Sequence, residues 1–248
     1  MMFDGATLTV VIAAYFLAGL VKGTVGLGLP TVTLSLLVPV VGLAPAIALT
    51  LAPTLVTNAW QAVVGGRMRA ILERLWPLFL LAVIGTWLGT WVLARADATL
   101  LSALLGIALS LYAVYGLVAP PLPEPGRFEP VLTPVVGLLG GLMAGMVGAF
   151  LIPGIMYLQA LRLQRDELIQ TLGMIFFALT IALGAGLTTN QLLTKDLLLL
   201  SALAVAPALA GMEFGRRIRQ RLSEQRFRKL FFVALLLLGL NMVIRALA

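Results

Sequence analysis

The sequence predicts an all-α protein that crosses a membrane several times. Three observations carry this. Hydrophobic residues make up 61% of the 248 and charged residues only 11%, against roughly a quarter charged in a soluble domain. Apolar stretches of about 20 residues recur, each long enough for a hydrocarbon core of roughly 30 Å. Mean hydropathy is +1.07, which a soluble domain would not sustain over its whole length. The net charge is +7, and seven of the 17 Lys and Arg fall between Arg216 and Lys229. Set between two apolar spans, that run reads as a cytoplasmic loop that fixes orientation, not as a nucleic-acid site. Cysteine and histidine are absent, which removes disulfide and thiol chemistry and the usual proton relay and metal ligand. No cofactor is expected. The start, Met1 to Asp4, lacks a basic n-region, so a cleavable signal peptide is not expected.

In chain order the apolar segments are 7–41, 43–64, 75–94, 98–119, 131–161, 168–187, 197–213 and 230–247. The polar, proline-rich "APPLPEPGRFEP", residues 119–130, reads as a linker. It divides the chain into a first repeat, 1–118, and a second, 131–248. The halves are alike: "GTWLG" at 85–89 matches "GMEFG" at 211–215, each followed by a charged break and a long apolar run. Internal repeats of this kind are typical of secondary transporters.

The opening segment of each half is too long for one straight span. Segment 131–161 would measure about 46 Å as a single helix. Each is interrupted by glycines and then proline: Gly19, Gly23, Gly26, Gly28 and Pro30, and Gly137, Gly140, Gly141, Gly145, Gly148, Pro153 and Gly154. Each is either one kinked span or a hairpin of two short helices. The basic residues arbitrate. With eight single crossings, ten Lys and Arg lie inside and six outside. With both long segments entering and leaving on one side, 13 lie inside and only Arg95, Lys195 and Arg245 outside. The positive-inside rule selects the second arrangement. The expected fold is therefore two inverted repeats, each a broken re-entrant hairpin plus three transmembrane helices, with both termini outside.

A helix break within a bilayer exposes backbone groups that only protein or a water-filled cavity can satisfy. The N-terminus of a half-helix offers free N–H donors and partial positive charge, which suits an anion. "TVGLGLPT" fits that role: Gly23, Gly26 and Gly28 allow close backbone approach, Pro30 starts a half-helix, and Thr24 and Thr31 add hydroxyls. "MVGAFLIPG" supplies the counterpart through Gly148 and Gly154, followed by Tyr157. Two such breaks at the midplane would form one substrate site. Lys22, just before the first break, reads as a charge facing an anionic substrate, against the alternative of a snorkelling lysine. The glycines also fit close helix packing, at spacings 19–23, 85–89, 137–141 and 211–215; for 85–89 and 211–215 packing is the expected role. Thr50, Thr54, Thr57, Asn58 and Gln61 share one helical face, so Thr54 and Asn58 either line a cavity or bond to other helices. Gln170, Thr171 and Thr180 are the weaker counterparts. Glu213, with Arg216 and Arg217 at i+3 and i+4, reads as an interfacial ion pair.

"AGLVKGTVGLGLPTVTLSLL" and "GLLGGLMAGMVGAFLIPGIMYLQAL", opening two halves of about 120 residues, resemble the sulfite exporter TauE/SafE family of membrane permeases. The resemblance covers nearly the whole chain, with Ala149, Phe150 and Leu151 standing where repeated glycines are common. It implies movement, usually outward, of sulfite, a sulfonate or another small organic anion across a bacterial inner membrane. The expected partners are that anion, protons or another coupling ion, the lipid bilayer and a second copy in a homodimer. An anion channel is the alternative. An intramembrane enzyme is a remote third reading, since no nucleophile–base pair or ligand cluster lies in the spans. Nothing resembles a G-x-x-x-x-G-K-[ST] loop, so ATP hydrolysis is not expected.

Overall fold

The computed structural model describes residues 5–120, 122–219 and 224–247. The described residues are helical with short connections. In chain order the helices are α1 (Gly5–Val25), α2 (Leu29–Val41), α3 (Leu43–Leu49), α4 (Leu51–Val63), α5 (Met68–Leu93) and α6 (Ala98–Val118). Then come α7 (Glu129–Val147), α8 (Met156–Ala160), α9 (Arg165–Thr189), α10 (Lys195–Leu203), α11 (Val205–Arg219) and α12 (Glu224–Leu247). Seven stretches among the described residues are long and apolar enough to cross a membrane, and α3 with α4 makes an eighth if the bent pair is one span.

The chain divides into two compact units. One contains the residues through Pro53, Asp97–Ala119 and the residues from Leu192 onward; the other contains Thr54–Ala96 and Pro120–Gln191. Each draws on both sequence halves, because the broken segment of one half packs on a glycine-bearing span of the other.

In the first unit α1 lies along α11. A Cβ at Gly19 would overlap the Ala208 carbonyl, and one at Gly23 the Met212 carbonyl; reciprocally, Gly211 abuts Phe16 and Gly215 abuts Leu20. The matched residue numbers rise together, so the two helices are parallel. Only glycine lets backbones approach this closely, which is what the four-residue spacing provides in a membrane. On α6 and α12 the numbers run oppositely: Gly106 meets Gly239 and Met242, and Gly116 meets Phe232. That pair is antiparallel. Since α11 and α12 are consecutive, the ends nearest the basic run, the tip after α1 and the end of α6 gather at one face. Gly5, Lys195 and Arg245 lie toward the other. Arg221 of the basic run lies outside the described residues.

The second unit repeats the parallel pairing. Gly85 and Gly89 on α5 abut Leu138 and Leu142, while Gly141 and Gly145 on α7 abut Ala82 and Thr86. Packing therefore accounts for the pairs at 85–89 and 211–215, as expected, and also for 19–23 and 137–141. Arg74 donates two hydrogen bonds, 2.6 and 2.8 Å, to the Glu129 carboxylate where α5 and α7 begin, and Arg162 lies 3.9 Å from Glu124. The Gln170 amide, buried in α9, donates to Ala62 O at 2.9 Å and accepts from Arg67 N at 3.0 Å. Thus Arg67, Arg69, Arg74, Arg127, Arg162 and Arg165 share one end of this unit, and Arg95 caps the other, beside Asn190.

Candidate functional site

Both long segments are broken and folded back. Tyr15 on α1 neighbours Thr33 on α2; on one straight helix 18 residues would hold them about 27 Å apart. In the second half the Thr133 and Tyr157 hydroxyls lie 2.6 Å apart, 24 residues along the chain. The second hairpin is thus tied across its arms by a Tyr–Thr hydrogen bond, and in the first the same residue types are neighbours.

The first turn runs through Gly26 (φ 90°) and Gly28 (φ 103°), in the left-handed region that glycine alone enters without penalty. Leu29 opens α2 with Pro30 next to it, and no side chain caps that N-terminus, where Pro30 costs nothing because the N–H would be free anyway. The second turn begins at Gly148 (φ 73°), which ends α7. Ile152 is extended (φ −118°, ψ 126°) inside an otherwise π-helical turn, Leu151–Ile155, and the Ile152–Pro153 peptide is cis. The extended residue lengthens a short returning arm so that Tyr157 can reach Thr133.

The arms of the hairpins differ in length from expectation. Gly23 packs on Met212 and the Arg216 amide, in the last two turns of the span Lys195–Ile218. Gly145 packs on Thr86, Gly89 and Thr90, near the end of α5. The glycines before each turn are engaged in helix packing, so α1 stays helical for 21 residues and α7 for 19, about 31 and 28 Å. The expected pair of short helices is instead one span-length arm and a shorter returning arm.

A mid-span irregularity lies elsewhere. Between α3 and α4 the chain bends by 41° at Thr50. Pro53 causes this: it has no N–H to offer the Leu49 carbonyl four residues back. Ser201 of α10, fully buried, fills the gap. Its hydroxyl donates to Leu49 O at 2.8 Å and accepts from Ala52 N at 2.9 Å. The Thr50 hydroxyl bonds back to Ile47 O. One turn beyond the bend, the Thr54 hydroxyl is buried, with no hydrogen-bond partner among the described residues. Asn58 follows on the same face, 1% exposed.

Comparison with known proteins decides the family. A family model described as Sulfite exporter TauE/SafE matches residues 11–242. The chain belongs to the sulfite exporter TauE/SafE family. TauE/SafE proteins are membrane transporters of sulfur-containing anions, and this member is a multi-pass membrane protein. Comparison with curated proteins and with solved structures gave no match.

Within this TauE/SafE protein the sequence-derived candidates fall into distinct settings. Lys22 is buried at 4% exposure and shares one seam of α1 with Val11, Ala14, Tyr15 and Ala18. Gly23 packs on α11. Thr24 bonds back to Leu20 and Val21. Gly26 and Gly28 form the first turn, and Thr31 is buried in the first turn of α2. Gly148 forms the second turn. Gly154 lies under the Phe150 ring, so side chains fill that tip. Tyr157 is engaged with Thr133. Thr54 and Asn58 stand together past the bend. Glu213 pairs with both Arg216 and Arg217 at 2.9 Å, the interfacial ion pair expected. Sequence reading passed over Ser201, an ordinary serine in an apolar span; the signal was Pro53, which frees a carbonyl that something must satisfy. It also passed over Thr86, fully buried and with no hydrogen-bond partner among the described residues.

Proposed function

We propose that this protein is a secondary carrier that exports a small sulfur-containing or organic anion, such as sulfite or a sulfonate, across a bacterial inner membrane. By the positive-inside rule the arginine-rich loops face the cytoplasm and both termini face outward. The substrate engages the face of α4 bearing Thr54 and Asn58, just past the bend at Thr50; Lys22, buried in α1, is a separate candidate contact. Beyond family membership, the observation that carries this is the buried, unpartnered Thr54 hydroxyl at a mid-span bend. An unused donor in an apolar span costs free energy unless something binds it. A lysine buried in a span adds the charge an anion needs. Irregular backbone at mid-span is where secondary transporters hold their substrates.

The test is a thermal-shift screen of purified protein with sulfite, sulfoacetate, taurine, lactate and phosphate. A ligand at 100 times its Kd stabilises the folded state by about 2.7 kcal/mol. Sulfite or sulfoacetate should raise Tm, and Lys22→Met should abolish the rise. Equal responses of wild type and Lys22→Met would remove Lys22 from the site.

A further inference from the structure

We propose that Ser201 is a positioning residue for transport, acting through α4 rather than on the substrate. The inference rests on the reading that Thr54 and Asn58 bind the anion. The Ser201 side chain is fully buried and serves two backbone groups on opposite sides of the bend, Leu49 O and Ala52 N. These two groups lack their normal helical partners. Pro53 cannot supply the donor that Leu49 O needs, and Ala52 N donates to the Ser201 hydroxyl. A single hydroxyl that donates to one and accepts from the other fixes the separation of the two helix ends, and so the direction in which α4 leaves the bend.

Thr54 follows Ala52 by two residues and Asn58 by six. A small change in the bend therefore displaces both. In an apolar span few other polar groups could replace this clamp, and Thr50 is already bonded within its own turn. Ser201 lies three residues before Ala204, where α10 meets α11, within the single apolar stretch Lys195–Ile218. The serine thus ties that stretch to the bend between α3 and α4. A side chain that only cemented helices would not need to address both halves of one bend.

The test uses full-length protein in nanodiscs, with sulfite and sulfoacetate as probes. Variants are Ser201→Ala, Ser201→Cys, Ser201→Thr, Thr54→Val and the double variant Ser201→Ala with Thr54→Val. Kd and Tm are measured for each. Ser201→Ala should weaken binding roughly tenfold or more, as loss of positioning does. Ser201→Thr, which keeps the hydroxyl, should recover most of it, and Ser201→Cys, near in size but a weak donor, should fall between; the last keeps the test alive if the alanine variant does not fold. The double variant should bind more weakly than Thr54→Val alone, through the displaced Asn58, but by less than the sum of the two single losses, since both changes remove the Thr54 contact. A lowered Tm with wild-type Kd for Ser201→Ala, or additive losses in the double variant, would overturn the proposal. Wild-type protein that binds neither probe would instead overturn the transport reading, and this inference with it.

Discussion

Gly137 lies in the long arm of the second hairpin, and its replacement separates a packing role from a flexible one. A Cβ at Gly137 would lie 2.6 Å from Leu78 O, where ordinary contact begins at 3.4 Å. The helices α5 and α7 must therefore part by about 0.8 Å, the difference between the two. A gap of that size forfeits about a quarter to a half of the dispersion energy of each affected contact, and such overpacking typically costs about 1–3 kcal/mol. Alanine returns up to about 1 kcal/mol through its better helix propensity. The net loss is about 1–2 kcal/mol, a fall in Tm of roughly 2–8 °C for a chain of this size. Gly5→Ala is the control, because nothing lies within 4 Å of a Cβ there. The assay is thermal unfolding in detergent, followed by tryptophan fluorescence. If Gly137→Ala melts at or above Gly5→Ala, close packing does not explain the glycines.

Three further outcomes follow from the structure. Gln170→Leu removes the buried amide that holds the 62–67 connection, leaving Arg67 N and Ala62 O unsatisfied, and should cost about 1–3 kcal/mol with faster hydrogen exchange at residues 64–67; unchanged exchange there would contradict it. Tyr157→Phe and Thr133→Val each break the tie across the second hairpin, so their effects on Tm should be non-additive by about 0.5–1.5 kcal/mol in a double-mutant cycle, and additive effects would mean that the contact carries no energy. A cysteine replacing Arg95 should react with a membrane-impermeant reagent from the periplasm and one replacing Arg67 should not; labelling of both from one side would overturn the orientation.

The class, the spans and the two breaks were legible because each rests on local chemistry. Apolar length fixes a span, glycine with proline fixes a turn, and arginine placement fixes a face. The charge count that favoured hairpins agrees with each unit taken alone: in the second, six arginines sit at one end and Arg95 at the other, and in the first the basic run sits opposite Lys195 and Arg245. The lengths of the arms on either side of the breaks were not legible. The same glycines can break a helix or pack it, and what decides is the partner helix, which sequence does not reveal: Gly23 is spent on Met212, and Gly145 on Thr86. The 41° bend at Thr50 was hidden for a related reason. Pro53 signals a freed carbonyl, but the group that satisfies it, Ser201, lies about 150 positions away. Likewise the contact between Tyr157 and Thr133, 2.6 Å between hydroxyls 24 residues apart, was not legible. The pairing of each broken segment with the other half's glycine helix also depends on long-range packing, so the compact units do not follow the sequence repeats.

Under the proposed function this protein carries a small sulfur-containing anion that Thr54 and Asn58 bind, with Lys22 a separate candidate contact. Counterflow in proteoliposomes tests it most directly. Vesicles loaded with unlabelled sulfite or sulfoacetate are diluted into the same labelled anion. The account predicts transient, saturable accumulation of label by wild type, and its loss in both Lys22→Met and Asn58→Leu vesicles that hold folded protein. Counterflow that persists undiminished in both variants would contradict the account.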